Sequence, residues 1–433
     1  MSISFQITLF KELIEKYDTW ERLQTYLESE EGGLFRVVDQ DNGLCLIRYE
    51  KGQSNMNLPH SKWFRCVVWN TIRNRPVCVA PCKTNSEDIP YRTFKELEEA
   101  GIVSQENVEG FMINCFRMRE DPSLHITSRS KLNAAGTFYS KKSFRELFIE
   151  SYFNTFSVNQ PSEETIQEDT SIISKPEETK KELSIFYSFL VQHTEHKIVK
   201  NILTNRVYVI YKGTVYDDGT ISIEDTPCPD GIDNIDNIVL PSSKQKTRSY
   251  ADILINSLKQ ENVGKSEVEE WAKKYLAEKP RDYQGIVFKD RTGNRWRIRS
   301  EKYSAIRSLR GNHPSIRDRF AQLYTSNLLN KYLEYYPEEA WSMSIYSLHV
   351  DAIISAIYHF YIDLHIKKCV RLETIDKMFH SHLYNLHGLY LSQLRPAGKN
   401  MSQHDIKVYL HKQPWQRLSF LIKKITQPTS TNE

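Results

Sequence analysis

Residues 107–118 read Asn107-Val108-Glu109-Gly110-Phe111-Met112-Ile113-Asn114-Cys115-Phe116-Arg117-Met118. A polar corner ending in glycine runs into a mostly apolar stretch, which predicts a buried strand over 110–118. Upstream, Phe35-Arg36-Val37-Val38, Leu44-Cys45-Leu46-Ile47-Arg48-Tyr49, Phe64-Arg65-Cys66-Val67-Val68-Trp69 and Arg75-Pro76-Val77-Cys78-Val79 are short β-branched or aromatic runs. Turn signals at Glu31-Gly32-Gly33, Asp41-Asn42-Gly43 and Thr71-Ile72-Arg73-Asn74 separate them, so an antiparallel meander is expected. Downstream, strands are expected at 124–128, 184–191, 198, 207–211, 220–223, 285–289 and 295–299. Helices are expected over 4–29, 94–100, 140–152 and 250–276. From Ser304 onward the pattern is helical only, over 304–310, 314–334, 339–366, 371–392 and 403–425. The expected class is α+β: an N-terminal helix (1–30), an antiparallel-sheet domain (31–303) with an acidic loop at 157–183 and an insertion at 224–280, and an all-helical C-terminal domain (304–433).

The 433 residues are 39% hydrophobic and 12% aromatic, enough for sizeable cores, so a wholly disordered chain is excluded. The longest apolar stretch, 352–366, is broken by His359, Asp363 and His365, and no membrane span is expected. The first twenty residues read as an amphipathic helix rather than a signal segment. Seven cysteines, an odd number scattered along the chain, fit a reducing, cytoplasmic compartment. Cys78 and Cys82 have no second pair at zinc spacing, and buried thiols are expected there. The histidines of the C-terminal helices fall on different faces and read as packing residues. The aromatic helices over 332–366 read as core, with a protein-docking face as the alternative.

The formal net charge of +3 conceals an uneven distribution. Residues 157–183 hold seven acids and three lysines, whereas 281–319 hold eleven bases and four acids. On a strand, Arg295, Arg297 and Arg299 share one face, and a row of like charge is costly unless an anion sits there. Arg307, Arg310 and Arg317 continue this basic stripe, so phosphate binding is expected.

Five segments in order resemble the nucleotidyl-transfer motifs of the covalent nucleotidyltransferase superfamily, above all phage-type RNA ligases and ligase-like proteins of large nucleocytoplasmic DNA viruses. Asn107-Val108-Glu109-Gly110 matches a Lys-x-Asp/Glu-Gly motif, with Asn107 at the position of the lysine that forms lysyl-AMP. Thr127-Ser128-Arg129-Ser130-Lys131 is similar to a Ser-Thr-Arg-Gly segment. The run 187–199 ends in Lys197-Ile198-Val199 and carries Gln192 where the family has a glutamate. Gln284-Gly285-Ile286-Val287 resembles Glu-Gly-x-Val, again with glutamine for the acid. Arg297-Ile298-Arg299-Ser300-Glu301-Lys302-Tyr303 resembles Lys-x-Lys-Thr-x-x-Tyr. Upstream, residues 64–69 and 75–83 resemble the stretch before the first motif, and the whole resemblance covers 35–303.

The resemblance implies an antiparallel-sheet nucleotidyltransferase domain of the ATP-grasp-like ligase type with a helical module behind it. It implies nucleotide contacts from Glu109, Gly110, Arg129, Gln192, Gln284, Arg297 and Arg299. It implies RNA or phosphate contacts from Lys131, Lys197 and Lys302, to which the basic stripe adds Arg295, Arg307 and Arg310. An amide at Asn107 cannot be the nucleophile. Glutamines at 192 and 284 remove charge that Mg²⁺ would use. Arginine in place of lysine still clamps phosphate. The leading expectation is a pseudoenzyme that binds RNA ends or a nucleotide in a basic cleft. One alternative is an active ATP- and Mg²⁺-dependent RNA ligase using a displaced lysine, with Lys83, Lys131 or Lys302 as candidates. Another is a structural subunit of a viral assembly, in the host cytoplasm or the virion, docked through the aromatic helices.

Overall fold

In the computed structural model the chain divides between Ser304 and Ala305 into a β-rich unit and a helical unit. The structure describes residues 3–85, 89–155, 173–225, 232–241, 266–313 and 315–426. Most of the acidic loop and the first part of the helix expected over 250–276 lie outside the described residues.

The N-terminus forms strand β1 (Ser4–Ile7) and helices α1 (Leu9–Lys16) and α2 (Trp20–Glu28) rather than one helix. β1 is drawn out of helical geometry by a distant partner, pairing antiparallel with β11 (Ile221–Glu224), Ile7 opposite Ile221. The hydroxyl of Thr19 accepts from the Arg22 amide at 3.4 Å and starts α2 afresh.

The meander is present as β2 (Phe35–Asp41), β3 (Leu44–Tyr49), β4 (Val67–Asn70) and β5 (Arg75–Val79), joined in sequence order into one antiparallel sheet. Asn42 and Gly43 turn the first hairpin, both at positive φ (46° and 76°), as a two-residue turn of matching twist requires. A larger sheet runs β1-β11-β10-β9-β7-β8, with β7 at Phe111–Met118, β8 at His125–Ser128, β9 at Glu182–Gln192 and β10 at Arg206–Tyr216. The short β12 (Asp233–Asn234) lies parallel to β10. The third sheet is β14-β13-β6, built from Arg295–Arg299, Gly285–Lys289 and Val103–Glu106.

Strand β7 is buried on both faces, which explains its nearly continuous apolar run. Phe116 and Met118 join a core with Phe10, Leu23, Phe35, Phe64 and Trp69. Ile113 and Cys115 point the other way, into a core with Leu147, Phe148 and Tyr152 of helix α4 (Phe144–Thr155). Each such side chain contributes about 1.5–3 kcal/mol when fully buried. The third sheet packs Phe288 and Trp296 against Leu97 of α3 (Phe94–Glu99) and Ala272 and Leu276 of α5 (Glu267–Glu278). Residue 198 is not in a strand, because its backbone has another partner, described below.

The unit boundary falls within α6 (Glu301–Arg310). The helical unit continues with α7 (Ile316–Thr325), α8 (Leu329–Leu333), α9 (Ala340–Tyr361), α10 (Lys377–Leu389), α11 (Gln403–His411) and α12 (Trp415–Thr426). α9 is the central element, packing against α7, α10, α11 and α12 and burying Val350, Ile353 and Ile357. The helix expected over 403–425 is split ahead of Pro414, which cannot sit inside a helix. Among the described residues no helix is long and apolar enough to cross a membrane.

Candidate functional site

Glu109 sits at the corner where the chain enters β7, and it is only 4% exposed. Its carboxylate accepts from three successive backbone amides, those of Ile198, Val199 and Lys200, at 3.0–3.2 Å. Burial pushes this carboxyl up, while the facing Tyr303 hydroxyl and the three amides act to keep it ionised. Gln192, at the end of β9, donates from Nε2 to the Glu109 carbonyl at 2.8 Å and accepts from the Tyr208 hydroxyl at 3.5 Å. Gly110 lets these elements meet, since a Cβ there would lie 2.5 Å from the Val191 carbonyl oxygen. Glu109, Gly110 and Gln192 are therefore brought together, and their polar groups hold the loop around 198–200. Their expected role as nucleotide contacts is not what these bonds serve. Lys197 lies on that same loop, half-buried.

Asn107 is joined to the start of β13, its amide donating to the Gly285 carbonyl at 2.9 Å. The Asn107 Nδ2 is buried with no hydrogen-bond partner among the described residues. Gln284 accepts on its carbonyl from the Ser300 amide at 3.0 Å, and Gly285 stands opposite Arg299. Arg297 and Arg299, with Ile298 and Lys302, line a cavity of about 450 Å³ closed by Lys273, Leu276 and Ala277 of α5. Lys302 spends its ammonium on the end of α5, donating to the carbonyls of Ala277 at 2.7 Å and Lys279 at 3.3 Å. Lys131 pairs with Asp39 at 3.3 Å.

A different set of cations gathers elsewhere in the β unit. Arg48 of β3, Arg65 ahead of β4, Arg129 after β8 and Arg295 of β14 come from four separate segments. Arg48, Arg65 and Arg129 all act on the one buried Cys66 thiol, which burial pushes up to about 12 against their pull. Arg48 is lowered by burial and then by Arg129, with the Glu50 carboxylate acting the other way. Arg65 is lowered by burial, then by Arg295, with Arg129 adding to it. The Arg129 guanidinium lies 5.0 Å from the Tyr49 ring centroid and the Lys83 ammonium 5.6 Å from it. Arg48 donates to the Ser130 hydroxyl at 3.3 Å. The Nε atoms of Arg48, Arg129 and Arg295 are buried with no acceptor among the described residues. None of the ion pairs found among those residues involves these four arginines.

Beside them, Lys289 of β13 is 8% exposed and 3.3 Å from Asp225. Burial lowers it to about 8, only partly offset by Asp225. It was not among the residues suggested by the motifs, although a lysine ending an apolar strand is a visible signal. Arg48 and Tyr49 were also missed; the signal was a lone arginine inside the apolar run 44–49.

Arg310 is corrected: it cannot be part of a phosphate-binding stripe. It is 4% exposed and donates to the Tyr332 hydroxyl at 2.6 Å and to Glu339. Arg319 donates to the same carboxylate at 3.2 Å. Arg317 bonds Ser419 at 3.0 Å within the helical unit, where Arg307 is half-buried on α6.

Fold and site together define a two-unit protein whose β unit carries a partly buried basic cluster outside the ion pairs of the described residues. Neither a protein-family model nor a curated protein matches the sequence. Among the described residues no group of three or more His, Cys, Asp or Glu side chains is arranged to hold a metal ion.

Proposed function

We propose that this chain is an RNA-ligase-like, nucleotidyltransferase-related protein that binds an RNA end or a nucleotide in its β unit without forming a lysyl-AMP adduct. The observation carrying this reading is the cluster of Arg48, Arg65, Arg129 and Arg295, which none of the ion pairs among the described residues joins and whose nearby carboxylate, Glu50, offsets the burial of Arg48 only in part. Burying like charges together is unfavourable, and a phosphate would compensate them with charge-assisted, fork-shaped hydrogen bonds. Asn107 supports the non-covalent part, since no amine stands at the corner before Glu109. Lys131 and Lys302 are engaged with Asp39 and with backbone carbonyls, which disfavours them as substitutes. Lys83, exposed beside the cluster over Tyr49, is the amine best placed for the rival reading of an active ATP- and Mg²⁺-dependent ligase.

Two measurements test this. Incubation with α-labelled ATP and Mg²⁺, then denaturation, should leave no label on the protein; an acid-labile adduct would overturn the non-covalent reading. RNA affinity should fall steeply with salt, and Arg129→Ala combined with Arg295→Ala should weaken it about tenfold or more and flatten the slope. A protein partner on the helical unit remains a second reading, supported by Trp341, Ile345 and Leu348, which recur along one exposed face of α9. Loss of a captured partner on Trp341→Ala, with RNA binding intact, would support it.

A further inference from the structure

We infer that α9 is a self-association helix, whose exposed stripe pairs antiparallel with the same stripe on a second copy of this chain. This rests on the second reading above, a protein partner at α9, and commits it to one partner. The RNA reading of the β unit stands apart from it.

Trp341, Ile345, Leu348, Ala352, Ser355 and His359 follow one another at alternating steps of four and three, so they fall along one side of α9. That side faces outward. Trp341 is 77% exposed, Leu348 67% and Ile345 36%; Ala352 and His359 are also exposed, and Ser355 is half-buried. The opposite side, with Met343, Val350, Ile353 and Ile357, is already spent on the core of the helical unit. Asp351 is the only Asp, Glu, Lys or Arg among the 22 residues of α9, in a chain that is 26% charged. The outer face of a surface helix normally carries charged and polar residues, whereas this one carries Trp, Ile and Leu.

Two features favour a second copy as the occupant. A face with a single charge offers no complementarity to nucleic acid or to a strongly acidic or basic partner, and does not repel its own kind. The order of side-chain sizes is also self-complementary. Bulky residues occupy the first half of the stripe, and Ala352, Ser355 and His359 the second. In an antiparallel pair whose two-fold axis lies level with Val350, Trp341 comes opposite His359 of the second copy, Ile345 opposite Ser355 and Leu348 opposite Ala352. Every stripe position then meets another stripe position, and each larger side chain meets a smaller one, as interdigitated packing requires. Each contact occurs twice, so the assembly closes at two copies. The stripe runs about 27 Å at 1.5 Å per residue, which makes the interface a small one and its affinity micromolar. The one opposing effect is Asp351: the axis keeps both copies' carboxylates on the same side of the pair, a weak repulsion that salt screens.

Sedimentation of the full chain between about 1 and 100 µM should show a monomer giving way to a dimer, and added salt should not dissociate it. Leu348→Asp should raise the dissociation constant at least tenfold. Leu348 is exposed, so an unchanged melting temperature in dilute solution would show that the variant folds. Register is tested separately by copper-phenanthroline oxidation in a background without Cys228 and Cys369. A mixture of Ile345→Cys and Ser355→Cys copies should cross-link at least tenfold faster than Ile345→Cys copies alone, because the axis holds the two 345 positions about 15 Å apart along the pair.

Equal cross-linking rates, or a dimer unaffected by Leu348→Asp, would overturn the inference. A monomer at every concentration that still captures a partner, lost on Trp341→Ala, would overturn it and leave the second reading standing. A monomer that captures nothing through α9 would overturn both. Binding of the monomer to phosphatidylcholine–phosphatidylserine vesicles, abolished by Leu348→Asp, would assign the stripe to a membrane surface and overturn it as well.

Discussion

Two groups of arginines in this chain are withdrawn from water in opposite ways. In the helical unit, Arg310 and Arg319 share the Glu339 carboxylate and the Tyr332 hydroxyl, and Arg319 also donates to the His313 carbonyl at 3.0 Å. In the β unit, Arg48 and Arg65 are lowered by burial and by neighbouring arginines, Glu50 offsets this only in part at Arg48, and none of the ion pairs among the described residues joins Arg48, Arg65, Arg129 or Arg295. The first group has its counter-charge built into the chain and works as a structural staple. The second has only part of it, from Glu50 beside Arg48, and the rest is what the proposed anion would supply. Charge balance, more than burial or residue type, separates an arginine that holds the fold from one that holds a ligand.

The comparison breaks most visibly if the staple loses its acid. Glu339→Gln should destabilise the helical unit by about 3–5 kcal/mol, because two buried guanidinium groups lose their counter-charge. Amide exchange in α7 and α9 would report the loss. Burial acts to raise the Glu339 carboxyl, but Arg310, Tyr332 and Arg319 more than offset it and hold it below its ordinary value of 4.5. Its contribution is therefore full above about pH 4.5 and lost as pH falls through the lower folded value. The variant should lack this acid-sensitive step. A loss under 1 kcal/mol with an unchanged acid limb would show that the staple is not held by charge.

Lys289 stands between the two groups, with one carboxylate that only partly offsets its burial. Its folded value is about 8 against an ordinary 10.5. The fold thus rejects a proton that the unfolded chain binds between those values, and stability from this group rises as pH climbs from 8 to 10.5. Each tenfold change in proton affinity is worth about 1.4 kcal/mol, so the effect is on the order of 3 kcal/mol. A titration of the lysine Cε resonances should give one midpoint near 8, moved lower still in Asp225→Asn. All midpoints near the ordinary lysine value would remove Lys289 from this intermediate place.

These contrasts also mark how far the sequence could be read. The β2–β5 meander and the β13–β14 hairpin were legible because their signals are local, in Asn42-Gly43 and in the alternation of Arg295, Trp296, Arg297, Ile298 and Arg299. The strand at Ser4–Ile7 was not, since it depends on a partner more than two hundred residues away. Nor was the loop at 198–200, whose amides belong to Glu109. Arg129 was found by motif, Arg295 by the alternation along its strand, and Arg65 lay in a quoted run, yet nothing local marks that these meet Arg48. The inward turn of Arg310 was equally invisible, because its acid comes twenty-nine residues later.

The smallest effect sharpens the comparison most, because its sign is the unusual one. Removing a cation from the staple should destabilise, but removing one from the open cluster should stabilise the ligand-free protein. Arg65→Met keeps most of the side-chain length and relieves repulsion from Arg295 and Arg129. The expected gain is about 0.5–1 kcal/mol at low salt, shrinking as salt screens the wild-type repulsion. Inorganic phosphate should then raise the wild-type melting temperature more than that of the variant, because only a ligand bound to the folded state stabilises it. Thermal melts of both proteins, with and without phosphate at matched ionic strength, measure the two effects together. A variant less stable than wild type at every salt concentration, and raised equally by phosphate, would mean that Arg65 belongs with Arg310 and Arg319. The cluster would then be held by the fold itself, and no external anion would be needed to explain it.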